Sequence, residues 1–167
     1  MSQYSPGPVA SSEILARFVF APVHVRRNGN LKPSIFSHVS NKGCSIQRES
    51  MAGTGEMVGF VEGFLGKNET ASWVGLITGK CEDVRQIRFD GSMKSVVCVY
   101  DTGNVGNPAH GELCQTHYVI EEADRIELRG KLLRTFNDGR LIGPAAYREG
   151  EILCALATEF RERVSGG

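Results

Sequence analysis

His24 closes a Val- and Phe-rich stretch, and a polar turn with Lys32-Pro33-Ser34 and then Ser45 follows it. Imidazole is the side chain whose ordinary pKa lies nearest neutrality, so a histidine at the rim of a sheet suits general acid–base work. Lys32 in such a cleft would sit against a phosphate, and Ser34 or Ser45 would donate to it. The same spacing also suits a plainer role, with His24 capping an edge strand and the serines satisfying turn backbone.

The second group is Asn107-Pro108-Ala109-His110-Gly111-Glu112-Leu113-Cys114-Gln115-Thr116-His117. On a helix His110, Cys114 and His117 would share one face and could serve as three zinc ligands. On a strand the period of two aligns His110, Glu112 and Cys114 instead. Pro108 and Gly111 argue against a long helix. We therefore expect no metal here, and a His110 that either bonds a loop carbonyl or takes part in acid–base chemistry.

Trp73 is the only tryptophan. Its apolar neighbours point to core packing, with a stacking platform for a base or sugar as the sharper alternative. Tyr100 would line the same pocket. The pairs Arg26-Arg27 and Arg161 to Arg163 read as solvated faces. The Gly-rich GTGEMVGF lacks the Lys-Ser/Thr of a phosphate loop, and neither GxSxG nor HExxH occurs. No cofactor is expected.

The elements that must position these residues follow from pattern. Residues 1–10, with two prolines, a glycine and two serines, read as a flexible lead-in. Strands are expected over 17–25, 43–48, 72–78 and 94–100, with Pro22 confining the first to an edge, a bulge or a strand end. Pro33 suits the first turn of a short helix. Met57, Val58, Phe60, Val61, Phe64 and Leu65 recur at helical spacing and predict a helix over 55–66, whose Gly59, Gly63 and Gly66 would serve close packing. A short helix is expected over 81–87, a loop over 103–108, and amphipathic helices over 121–136 and 149–164. The segment 110–118 fits strand or helix. The order predicts a single α+β domain over 11–164, with a small mixed β-sheet, short helices and two amphipathic C-terminal helices, then a loose 165–167.

Composition bounds the rest. The chain has 167 residues, 41% hydrophobic and 23% charged, so one ordinary folded domain is expected. Nineteen basic residues balance nineteen acidic ones, which leaves no global pull toward nucleic acid or an anionic membrane. No apolar run approaches the roughly 20 residues of a membrane span, and the N-terminus lacks the pattern of a secretory signal. Five widely spaced cysteines without a CxxC pair read as reduced thiols in a cytoplasmic protein.

The series His24, Lys32-Pro33-Ser34-x-Phe36, Gly43-Cys44-Ser45-Ile46, Ser72-Trp73-Val74-Gly75, Val99-Tyr100-Asp101 and Asn107-Pro108-Ala109-His110 resembles a family of small uncharacterised bacterial proteins. The resemblance spans residues 17–136, with cysteine where leucine is usual at position 44. It implies no activity and singles out His24 and His110. Gly43-Cys44-Ser45 and Glu112 are similar, over few residues, to the pocket of compact ADP-ribosyltransferase-like toxins.

Two function classes follow. In the first the chain is an accessory protein-binding module that engages a protein partner through a concave sheet face or a helix. In the second, His24 and His110 share one cleft with Lys32 or Ser45 and act as base and acid in metal-free cleavage of a phosphodiester or nucleotide, RNA included. The second requires the two imidazoles to converge.

Overall fold

The computed structural model describes residues 8–52, 54–67 and 70–137. The first strand, β1 (Ile14–Ala21), alternates its side chains between two covered faces and stops at Pro22, which offers no N–H to a ladder. It begins earlier than its apolar composition suggests because Glu13 closes a tight turn behind it, where its carboxylate accepts the Ala10 N–H at 2.6 Å. Val25 pairs with Leu31 around Asn28-Gly29-Asn30, and Gly29 takes the positive φ that such a turn demands. Pro33 opens a 3-10 helix (Pro33–Ser40) that buries Ile35, Phe36 and Val39.

The chain continues through β2 (Cys44–Arg48), α1 (Thr54–Leu65), β3 (Ser72–Lys80), α2 (Cys81–Arg85), β4 (Val97–Asp101), β5 (His110–Gln115) and α3 (Glu122–Asn137). The amphipathic segment expected over 149–164 and the tail 165–167 lie outside the described residues. Val9, placed by composition in the lead-in, is buried against the core, and Arg85 holds its carbonyl at 2.9 Å.

The five strands form one sheet in the order β3-β1-β2-β5-β4. Every pairing is antiparallel, so the sheet is not mixed as expected. β1 and β2 pair only at Leu15–Arg48 and Ala16–Gln47 before they diverge. Arg17 spans the opening, donating to the Ser45 carbonyl at 2.6 Å and the Ile35 carbonyl at 3.1 Å.

One face of the sheet packs against the 3-10 helix and α3, and this layer holds the main core. Leu15, Val19, Ile46, Val97 and Leu113 meet Phe36, Leu128, Leu132 and Phe136 there. The Phe36 and Phe136 rings lie 5.0 Å apart. On the other face α1 covers β1 and β3: Phe64 stacks on Phe20 at 3.9 Å, and Val61 is buried beside them. Gly59 and Gly63 do not serve close packing, because a Cβ on either would meet nothing within 4 Å.

The β2–β5–β4 half of this second face is open among the described residues. Ser45 and Tyr100 are exposed, and Cys98, Glu112 and Cys114 are half-buried. No helix among the described residues is long and apolar enough to cross a membrane.

Candidate functional site

His24 lies just past the end of β1. Its backbone N–H donates to the Phe20 carbonyl at 2.7 Å, and its ring Nδ1 accepts the Phe20 N–H at 3.1 Å. The neutral ring therefore carries its proton on Nε2. Burial, with the nearby charges of Arg17, Lys32 and His38, pushes its pKa down to about 4. The imidazole is thus a neutral group bonded into the turn.

Lys32 serves the same turn. Its ammonium donates to the Pro22 carbonyl at 2.7 Å and the Val23 carbonyl at 3.3 Å. Ser34 is exposed on the first turn of the 3-10 helix. Ala21, Pro22, Val25, Arg26, Arg27 and Lys32 line an open groove of about 450 Å³ beside it. Trp73 packs into the layer beneath α1, edge-on to Phe18 at 6.4 Å, with its indole N–H on the Gly75 carbonyl at 2.8 Å.

His110 opens β5 and pairs with Gln47. Its Nδ1 lies 2.7 Å from the Thr102 hydroxyl, so its partner is a side chain and not a loop carbonyl. Because the segment is a strand, His110, Glu112 and Cys114 share one face while His117 falls in the turn after it. Among the described residues no group of three or more His, Cys, Asp or Glu side chains could hold a metal.

The register separates the two histidines. His110 stands opposite Gln47 and Gln47 opposite Ala16, whereas His24 folds back onto Phe20. Four residues of β1 at ~3.3 Å each and two inter-strand steps of ~4.8 Å put their backbones on the order of 15 Å apart. Lys32 stays with His24, and Ser45 lies on β2. Ser45 pairs with Glu112, and Glu112 with Tyr100.

These three residues form the centre of the open face. Gly43, at φ +80°, brings the chain into β2 and leaves room for the Glu112 carboxyl; a Cβ there would lie 2.9 Å from it. The neighbouring Cys98 thiol pushes the Tyr100 phenol above its ordinary pKa. Burial, and then Glu112, push the Cys114 thiol pKa up.

Family models, curated proteins and solved structures give no match. The geometry alone therefore carries the functional reading.

A third cluster escapes sequence reading. Arg48 is buried and donates through Nε and Nη2 to the two carboxylate oxygens of Glu13, at 2.6 and 2.7 Å. Asp101 faces the same guanidinium at 3.4 Å. This cluster joins the start of β1, the end of β2 and the end of β4. Thirty-five and fifty-three residues separate Arg48 from its partners, and no local pattern signals such a contact.

Proposed function

We propose that this chain is a protein-binding module that takes an extended segment of a partner along the β4 edge and the open β2–β5–β4 face. The observation that carries this reading is the state of β4. Thr116 donates to the Val96 carbonyl and Thr102 to the His110 carbonyl, so the even-numbered residues of β4 bond β5. The N–H and C=O of Val99 then point away from the sheet, and neither has a partner among the described residues.

An unpaired edge of this kind is a template for an added strand. Tyr100, 52% exposed next to it, supplies an amphipathic ring of the sort enriched at interfaces. Glu112 is the charged group at the centre of the face and favours a basic side chain on the incoming segment. The acid–base reading required both imidazoles in one cleft, and their separation along the register gives it no support.

The reading is tested with a photo-crosslinking residue in place of Tyr100 in living cells, and a control at Ile126, exposed on α3. A defined partner protein joined at 100 and absent at 126 is the expected result. Equal capture at both positions, or capture only of a second copy of this chain, would overturn it.

A further inference from the structure

The structure assigns Cys98 and Cys114 as a dithiol pair that closes into a reversible cross-strand disulfide when a low-molecular-weight disulfide is present. The two residues stand directly opposite each other in the β4–β5 register. They form a hydrogen-bonded pair, by the same alternation that joins Val96 to Thr116 and Thr102 to His110. Such pairs hold their Cα atoms roughly 5.5 Å apart, within the roughly 4.4–6.8 Å that a disulfide spans. Both side chains lie on the open face and both thiols are free and half-buried, so a small oxidant can reach them.

The other described thiols do not compete. Cys44 pairs with Leu113, points to the opposite face and is buried with its thiol toward the Ile35 carbonyl at 3.6 Å. Cys81 is buried at the start of α2.

The exchange balances with glutathione disulfide as the oxidant. The thiolate of one cysteine attacks a glutathione sulfur and releases the first glutathione as thiolate. The second cysteine loses its proton and attacks the mixed disulfide, forming the Cys98–Cys114 bond and releasing the second glutathione. Both cysteines are oxidised and one glutathione disulfide is reduced to two glutathiones.

In a hydrogen-bonded pair the Cβ atoms lie farther apart than the roughly 3.8 Å of a relaxed disulfide. Closure must draw β4 toward β5, and the bond is correspondingly easy to reduce. It forms across the strand that borders the proposed docking edge, yet it depends only on the register and stands whether or not a partner docks there.

The experiment equilibrates the full chain with glutathione and glutathione disulfide at a series of ratios, blocks free thiols and maps peptides. Residues 95–125 contain no Lys or Arg before Arg125, so both cysteines fall in one tryptic peptide. The expected product is that peptide two hydrogens lighter and unalkylated, its halves still joined after cleavage at Glu112. Its fraction should follow a reversible two-electron dependence on the glutathione ratio. Cys98→Ser should instead leave glutathione attached at Cys114. A bond to Cys44, Cys81 or Cys154, or glutathione on both cysteines without a link, would overturn the assignment.

Discussion

Arg48 grips Glu13 with two of its guanidinium nitrogens, at 2.6 and 2.7 Å, in a site where the arginine side chain is only 6% exposed and the glutamate 13%. The pair clamps the entry to β1 onto the end of β2, where the two strands keep just two paired positions. The clamp compensates locally for a sheet that has begun to open.

Glu13→Gln should therefore destabilise the fold by about 3 kcal/mol, the low end of the cost of leaving a buried charge without its partner, because Asp101 still faces Arg48. Arg48 holds the Glu13 carboxyl below its ordinary 4.5. The unfolded chain then binds this proton more readily, so the stabilisation is present above pH 4.5 and is lost as pH falls through the lowered folded value. Urea denaturation from pH 3 to 7 checks both points: the wild type should weaken steeply at the acid end, and the variant should lack that share of the slope.

His24 acts in a higher window. Its pKa falls from 6.5 to about 4 on folding, so the unfolded chain binds a proton between those values and the folded chain does not. The stability it contributes is full above pH 6.5 and drains away as pH drops toward 4, by about 3 kcal/mol in all. An NMR titration of the ring should show His24 neutral at pH 5.5. His24→Gln should flatten stability between pH 4 and 6.5 and leave the Glu13 region of the curve in place.

Two glycines should respond to alanine in opposite directions. A Cβ at Gly111 would sit 2.9 Å from the Tyr100 carbonyl oxygen and 2.9 Å from a terminal carbon of Ile46. The Ile46 methyl can turn aside, but the carbonyl belongs to the β4–β5 ladder and cannot. Gly111→Ala should cost about 2 kcal/mol. At Gly63 a Cβ meets nothing within 4 Å, and the residue lies inside α1. Gly63→Ala should raise stability by up to about 1 kcal/mol. Thermal melts of the two variants decide the matter.

Much of the fold was readable because its signals are local. The three- and four-residue spacing of Val61, Phe64 and Leu65 gave α1, Pro33 gave the 3-10 helix, and the run ending in Val99-Tyr100 gave β4. The strand order was not readable, since every pairing except β4–β5 joins segments with another element between them in sequence. Composition also left 110–118 open between helix and strand, and that choice decides whether Glu112 or His117 shares a face with His110 and Cys114.

The site residues divided in the same way. Trp73 packs half-buried against the core beneath α1. His24 and Lys32 are close in sequence and meet in one turn, but each is spent on that turn's backbone. Whether His24 and His110 met depended on strand order and register together, and these keep them apart. The Glu13–Arg48 clamp and the Cys98–Cys114 opposition depend on register, which no single segment encodes.

If β4 offers its outer edge to an incoming strand, amide hydrogen exchange at Val99 will report it. The measurement compares the free chain with its complex with the partner captured at position 100. The Val99 amide should exchange rapidly in the free protein and become strongly protected in the complex, while the amides of Arg26 to Lys32 stay unchanged. An unchanged Val99, with new protection confined to the Arg26 to Lys32 turn, would mean that the partner binds there and not at the β4 edge.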